Sequence, residues 1–182
     1  IDRNIIMAID KIQSESINLT DNFAFTGTVT GAGGDNKPVF SAYLSANQAA
    51  SDATWTKVQC NTEIYDGQNT YDNSTNYRFT PNSTGYYLIN AGISIHCNEN
   101  TLIDNYMSIY ENGSQISITE NYNNSSSKST WGQHSISIIV HSDNTSDYYE
   151  LYSYADPTAG SVTFAGNSTK QFTYFNASKI IL

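Results

Sequence analysis

The chain has few cysteines, few basic residues and no long apolar run, and each shortage removes a class of protein. Two cysteines are too few for the dense disulfide framework of a small secreted scaffold. With 8 Lys and Arg against 17 Asp and Glu, the net charge of -9 argues against a nucleic-acid partner. No apolar stretch approaches the roughly 20 residues that cross a bilayer, so we predict no membrane insertion.

Signals of catalysis are also scarce. The three histidines, His96, His134 and His141, have neither metal-ligand spacing nor a paired cysteine motif beside them. There is no phosphate-binding loop, dinucleotide-binding glycine motif or serine nucleophile elbow. His134 and His141 bracket one predicted strand at a spacing of seven and are expected on opposite faces. We therefore predict that the protein is not an enzyme.

Acidic side chains fall close together at three places in predicted loops. The pairs are Asp66 with Asp72, Glu99 with Asp104, and Asp143 with Asp147. Calcium takes roughly six to eight oxygen ligands from such loops, but the spacing of an EF-hand is missing. We predict solvated loop acids and no cofactor, with calcium as the alternative and no ligand assigned.

The two cysteines are expected in different environments. Cys60 is predicted to fill a core position as a small apolar residue. Cys97 precedes a polar run at 98–100 and is expected to be exposed. A disulfide between them is the less favoured alternative.

From Pro38 onward the sequence alternates apolar and polar residues in short stretches separated by turns. This density of strands is typical of a β-sandwich. Asn112 and Gly113 predict a tight hairpin, because a type I′ turn needs positive φ at both central residues. The predicted strands cover residues 39–46, 55–64, 85–96, 106–111, 114–122, 133–141, 147–154, 161–165 and 171–181.

The strand at 147–154 shows how the alternation assigns faces. Tyr149 and Leu151 are predicted to enter the core, which leaves Tyr148, Tyr152 and Tyr154 on the other face with Glu150. Such a tyrosine row fits an interface or an ordinary cross-strand aromatic ladder, and the pattern alone leaves both open.

The first 34 residues have a different pattern. Ile1, Ile5, Ile9 and Ile12 are spaced like the apolar seam of a short helix, and isoleucine at both seam positions favours three or four helices together. A docked amphipathic helix or a strand fragment is the alternative. A glycine-rich stretch at 31–34 then predicts a linker, so we expect a connector or anchor at 1–34 and a head at 35–182.

Seven residues in the head have a diagnostic spacing, and they are Cys60, Asp66, Tyr71, Phe79, Gly85, Tyr87 and Ile89. This pattern resembles the signature of the C1q/TNF-like family, with one extra residue between Tyr71 and Phe79. Cys60 and Ile89 stand where that signature has Phe, and Ala91 replaces a final aromatic residue. The opening stretch 38–43 and the closing stretch 172–177 are also similar to strands of that family.

The resemblance implies an all-β, ten-stranded C1q/TNF-like jelly-roll sandwich that assembles as a homotrimer, with a short N-terminal extension. Under it, Tyr148, Tyr152 and Tyr154 become the candidate threefold interface. Residues 19–29 are similar to connectors that precede such heads in phage and viral fibre proteins.

The leading functional hypothesis is a trimeric head on a virion surface that attaches to a host glycan or protein. Residues 1–34 would then contact other virion proteins. One alternative is a capsid decoration protein without receptor binding. Another is a secreted eukaryotic C1q-like module, in which the sequons at Asn73, Asn82, Asn167 and Asn176 would carry glycans.

Overall fold

A computed structural model of the chain describes residues 36–99, 101–122 and 129–181, and these parts contain thirteen strands and no helix. They accordingly hold no helix able to span a membrane. The predicted connector at 1–34, its isoleucine seam and residue 35 lie outside the described residues.

The strands are short except in the middle of the chain. Their bounds are β1 Val39–Tyr43, β2 Gln48–Ala50, β3 Thr56–Lys57, β4 Thr62–Asp66, β5 Tyr71–Asp72, β6 Arg78–Phe79, β7 Gly85–Cys97, β8 Leu102–Glu111, β9 Ser114–Tyr122, β10 Trp131–Ser142, β11 Tyr149–Pro157, β12 Val162–Phe164 and β13 Tyr174–Lys179.

Two antiparallel sheets make the sandwich. In the larger sheet, β7 pairs with β10 along its whole length on one side and with β13 and β12 on the other. β1 and β4 continue this sheet beyond β13, and β2 continues it beyond β12. The smaller sheet has the order β5-β6-β11-β8-β9, with β3 also paired to β11. The all-β sandwich is therefore as predicted, although short strands raise the count from ten to thirteen.

The core lies between the sheets and follows from the alternation. In β7 every second residue from Tyr87 to Cys97 is buried, while the residues between them point away from the core. Tyr149 and Leu151 of β11 face them from the smaller sheet, as the alternation predicted.

The signature residues form one part of this core. The ring of Tyr71 stacks on Phe40 with centroids 4.6 Å apart, and its hydroxyl donates to the Cys60 carbonyl at 3.0 Å. Asp66 Oδ2 accepts the backbone N–H of Tyr71 at 2.7 Å, which fixes the loop between β4 and β5. Phe79 then joins the ring of Phe40, at 4.8 Å, to the rest of the aromatic core.

The extra residue in the signature is absorbed by a loop. Tyr71 and Phe79 pair directly between β5 and β6, and residues 73–77 bulge out between these strands. The Asp72 carboxylate accepts backbone N–H groups of Ser74, Thr75 and Asn76, at 2.9 to 3.1 Å. An insertion at this point lengthens the loop without moving the core aromatics.

Several strand boundaries differ from the prediction. The predicted strand at 55–64 is two strands, because the chain leaves the smaller sheet after Lys57 and joins the larger one at Thr62. Strands β2, β5 and β6 were not predicted, since two or three residues are too few to show alternation. The Asn112–Gly113 turn is confirmed, with φ of 51° and 80°.

The expectation that Cys97 is exposed is wrong. Cys97 occupies the last inward position of β7 and its side chain is 0% exposed, with Sγ 3.3 Å from Thr101 Oγ1. Asn98 and Glu99, which follow it, are exposed in a bend after the strand, and their polarity does not report on Cys97 itself. Cys60 is buried as predicted, and both cysteines are free thiols.

Phe79 provides a test of the aromatic core. Phe79→Ala removes a fully buried ring that contacts Phe40 and Tyr87, and we expect the free energy of unfolding to fall by about 3–5 kcal/mol. The measurement is urea denaturation of the parent chain, of Phe79→Ala and of a control variant. Phe172→Ala is the matched control, because Phe172 is 44% exposed and its loss should cost under about 1 kcal/mol. Equal losses in the two variants would contradict this picture of the core.

Candidate functional site

Five aromatic side chains pack together on the outward face of the smaller sheet, and we call them the tyrosine cluster: Trp55, Tyr106, Tyr110, Tyr152 and Tyr154. Tyr106 and Tyr154 are directly opposite each other on β8 and β11 and stack at 5.2 Å. Tyr110 and Tyr152 approach to 4.4 Å. Trp55 covers three of these rings, with centroid distances of 5.7 to 6.3 Å.

The structure brings together two of the three predicted interface tyrosines. Tyr152 and Tyr154 belong to the tyrosine cluster, whereas Tyr148 lies before β11 with the Arg78 guanidinium 4.4 Å from its ring centre. The cross-strand ladder is thus observed, and the threefold interface stays a prediction. Lys57 and Glu150 form an ion pair of 2.5 Å on the same face.

Sequence reasoning missed Trp55, Tyr106 and Tyr110. The alternation of Tyr106, Ser108 and Tyr110 along β8 was a usable signal for the two tyrosines. Nothing local indicated Trp55, because it lies in a loop and reaches the cluster only through the pairing of β3 with β11.

The phenol groups of Tyr106, Tyr110 and Tyr154 stay protonated at neutral pH. Burial, reinforced by the Asp104 carboxylate, raises the pKa of Tyr106 to about 12. Burial also raises the pKa of Tyr110 and of Tyr154. These three hydroxyl groups are therefore neutral and can both donate and accept hydrogen bonds.

The outward face of the larger sheet is a second aromatic surface. Cross-strand pairs of β7 and β10 follow one another along it, from Tyr86 with His141, through Leu88 with Ile139, to His96 with Trp131. We call the first end the apolar end; it contains Tyr86, Leu88 and Ile139, and Ile139 is 63% exposed. Asn90 and Ser137 separate it from a cleft at the other end.

This cleft, named here the Trp131 cleft, lies between β7, β10 and the segment that leads into β13. It has a volume of about 360 Å³ and is bordered by Gly92, Gln133, Phe172 and Tyr174. A second hollow of about 260 Å³ shares Ser94, Gln133 and Phe172 with it, has Trp131 as its fourth lining residue and is almost entirely apolar. The sequence analysis did not predict this cleft.

The histidines make no catalytic arrangement within the described residues. His96 packs on Trp131 at 4.4 Å and His141 on Tyr86 at 4.6 Å, both on the outward face. His134 points inward, where its Nδ1 lies 2.8 Å from Thr119 Oγ1 and its Nε2 lies 2.7 Å from Asn105 Oδ1. His134 and His141 thus occupy opposite faces, as predicted, and none of these contacts joins a histidine to a carboxylate.

The acidic side chains predicted in loops hydrogen-bond to the backbone of the turns in which they lie. Asp66, Asp72 and Asp147 each accept hydrogen bonds from nearby backbone N–H groups. Across the parts of the chain that the structure describes, no group of three or more His, Cys, Asp or Glu side chains is placed to hold a metal ion. These carboxylates therefore act as hydrogen-bond acceptors that hold the turns around them.

Solved structures with a similar fold are TNF-type jelly rolls. Murine APRIL at pH 5.0 aligns with a TM-score of 0.55 and 11% identity, over 79% of this chain and 100% of that chain. Eiger TNF from S. frugiperda aligns with a TM-score of 0.54 and 11% identity, over 79% and 94%. At such identities the similarity shows the fold alone, and it confirms the predicted C1q/TNF-like jelly roll.

A weaker similarity, too low to support an argument, is to the globular domain of zebrafish complement 1qA protein. Its TM-score is 0.49 at 16% identity, over 78% of this chain and 95% of that chain. No protein-family model and no curated protein matches the sequence.

Asp147 gives a pH-dependent test of the loop acids. Its hydrogen bonds, first that from Asn112 Nδ2, hold the pKa of this carboxyl below its usual value, against the opposing effect of burial. The resulting stabilisation is present above the unfolded pKa of about 3.9 and is lost as pH falls through the lower folded pKa.

We expect Asp147→Asn to lower the urea midpoint at pH 7, and the difference from the parent chain to narrow progressively below about pH 4. Asp143→Asn, in the same loop, is the matched control, because only the Asp143 backbone N–H takes part in the network. A difference from the parent that stays constant from pH 7 to pH 2 would contradict the role of the charge.

Proposed function

We propose that this chain is a non-enzymatic attachment head, carried on a virion surface as a homotrimer, that binds a host-surface glycan or protein. The observation that carries the proposal is the pair of aromatic surfaces, the tyrosine cluster and the outward face of the larger sheet. Both face away from the core, and the two histidines on the larger sheet's outward face, His96 and His141, pack on aromatic rings. Residues 1–34 are proposed to contact other virion proteins.

Self-association is supported by exposed apolar side chains. Large apolar residues that stay open to solvent and lie close together usually mark an interface. Ile139, at 63% exposure, and Tyr86, at 41%, are neighbours on the apolar end. Homotrimers are the usual assembly of the jelly rolls that this sequence resembles, so we propose a second and a third copy as what covers this end.

The tyrosine cluster is the rival interface from the sequence analysis. Its rings pack mainly against one another, since Tyr106 stacks on Tyr154 and Trp55 covers both. At the apolar end His141 packs on Tyr86, but Ile139 keeps 63% of its side chain exposed. We therefore place the threefold contact at the apolar end and leave the tyrosine cluster facing outward.

The chemistry of the surface suits a neutral host ligand. Aromatic rings pack against the apolar faces of sugars, while amide and hydroxyl side chains bond to sugar hydroxyls. A net charge of -9 disfavours unaided binding to anionic lipid surfaces. Three copies on one particle would multiply a weak single-site affinity through avidity.

The virion location is supported by the amino-acid composition, which is rich in Asn and Ser and poor in Lys. It is also supported by the similarity of residues 19–29 to the connectors of fibre proteins. One structural observation weighs against a heavily glycosylated secreted module. Asn176 lies inside β13, paired with Asn90 of β7, and its Oδ1 is buried. The acceptor side chain of this sequon therefore lies inside a paired strand and not in the surface loop expected of a glycosylated sequon.

Light scattering coupled to size exclusion tests the assembly. We expect the parent chain to elute with three times the 20.1 kDa chain mass. Ile139→Asp should convert it to a monomer, because three buried carboxylates would face an apolar contact. The paired variant Tyr152→Ala/Tyr154→Ala should remain a trimer. If Ile139→Asp stays a trimer and the paired tyrosine variant becomes a monomer, the interface lies at the tyrosine cluster instead.

A binding assay tests the attachment function. Fluorescently labelled trimer should bind host cells saturably, and a soluble glycan or receptor prepared from those cells should compete. Ile139→Asp serves as the avidity control, because a monomeric head should bind far more weakly. A trimer that binds no candidate host cell, even at high concentration, argues for a purely structural role.

A further inference from the structure

The outward face of the smaller sheet carries carboxylates beside its rings. Tyr106 on β8 lies opposite Tyr154 on β11, and the next outward pair along these strands is Asp104 with Asp156. The proposed trimer contact leaves this face uncovered, because the apolar end belongs to the larger sheet. The face is therefore open to a partner other than a second copy of the chain.

The facing carboxylates are unfavourable by themselves. Like charges directly opposite each other on neighbouring strands destabilise a sheet. Burial, reinforced by the Asp52 and Asp104 carboxylates, raises the pKa of Asp156. The ionised Asp156 therefore costs stability at neutral pH, and this cost disappears as pH falls below the unfolded pKa of about 3.9.

The loop between β2 and β3 adds a third carboxylate, that of Asp52. The backbone N–H of Ala53 donates to the Ala155 carbonyl at 2.9 Å, which fastens this loop to β11. Burial raises the pKa of Tyr154, with further contributions from all three carboxylates. One end of the tyrosine cluster is thus bordered by acids, and we call these acids the acidic end: Asp52, Asp104 and Asp156.

The opposite end of the same face already holds a cation with rings and acids. Lys57 Nζ lies 5.7 Å from the centre of the Tyr152 ring and pairs with the Glu150 carboxylate. At the acidic end the same two kinds of group are present, but the cross-strand partner of Asp156 is a second carboxylate. A basic group from a partner would complete the arrangement there.

The rings beside the acidic end are held in place before a ligand arrives. Tyr106 stacks on Tyr154 at 5.2 Å, and Trp55 lies 5.7 Å from Tyr154. All three side chains remain partly exposed. Cations are attracted to the faces of Trp and Tyr rings, and rings that are already fixed lose little entropy on binding.

The shape of the surface indicates what kind of cation it fits. Along β8 the outward residues from Asp104 to Tyr110 extend over about 20 Å. Such a row fits an extended protein segment better than a single ion. In the described parts of the chain no three His, Cys, Asp or Glu side chains are placed to hold a metal.

We propose that the acidic end and the neighbouring rings of the tyrosine cluster form a docking surface for a basic segment of a partner protein. An Arg or Lys side chain of that segment packs on the rings and pairs with Asp104 and Asp156. Of the two host ligands proposed above, this surface fits the protein. The proposal rests on the attachment function and names the chemistry of the partner.

The experiment measures the fluorescence anisotropy of a labelled peptide of alternating Arg and Ser residues added to the full chain. We expect saturable binding that weakens as salt is added, and no binding of the same peptide with citrulline, which keeps the shape of Arg without its charge. Asp156→Asn should weaken binding by about 10-fold, because the charge pair is lost. Tyr154→Leu should weaken it by about 5-fold, because a ring face is lost.

Two variants elsewhere are the matched controls. Asp143→Asn makes the same change in net charge at an exposed position after β10. Tyr65→Leu removes a ring that is 48% exposed on β4 of the larger sheet. Neither should change the affinity by more than about 2-fold.

Urea denaturation at pH 7 supplies a second readout. Asp156→Asn should raise the urea midpoint although it weakens peptide binding, because it removes one of two facing charges. A purely structural role for Asp156 would not move stability and binding in opposite directions. A lower midpoint overturns the proposal, because the carboxylate would then already have a cation within the chain, its assembly or the buffer.

The remaining outcomes separate the docking surface from the attachment function. The docking surface is overturned if the Arg peptide does not bind, if the citrulline peptide binds equally well, or if Asp143→Asn weakens binding as much as Asp156→Asn. Host-cell binding that Asp156→Asn leaves unchanged overturns the surface and leaves attachment standing. Specific peptide binding by a chain that binds no host cell supports the surface and defeats attachment.

Discussion

Strand β7 contributes both to the core and to the outward face of the larger sheet, because its side chains point alternately to the two sides. Its inward residues, from Tyr87 to Cys97, are buried against the smaller sheet. Its outward residues carry the apolar end and the floor of the Trp131 cleft. Since β7 pairs with β10, β12 and β13, a shift of one residue in its register would move both faces at once.

Aromatic residues have two separate uses in this fold. One set is buried. In it, Tyr71 and Phe79 each stack on Phe40 with ring centroids less than 5 Å apart, which packs the strands that carry them against the core. The other set lies on the two outward faces. On the smaller sheet the rings cover one another, while on the larger sheet Trp131 and Phe172 keep open surface. The two outward faces therefore differ in how much ring surface they leave open.

The signature spacing predicted core positions, whereas the residues predicted to assemble stay a prediction. Tyr71, Phe79 and Tyr87 are buried and packed as the resemblance implies, even though Cys60 and Ile89 replace aromatic residues at neighbouring positions. Apolar substitutes keep the burial that those positions need. Function has no comparable signal, because exposed residues are not constrained by core packing and a shared fold does not specify a ligand.

The sequence by itself determined the alternation along the long strands, the Asn112–Gly113 turn, the burial of Tyr149 and Leu151, and the division of His134 and His141 between faces. All of these depend on local geometry, in which neighbouring residues point to opposite sides of a strand. Only the tertiary structure decided which strands become neighbours. Trp131, Phe172 and Gly92 meet because β7 lies between β10 and the β13 side of the sheet, and local periodicity carries no record of pairing between segments distant in the chain.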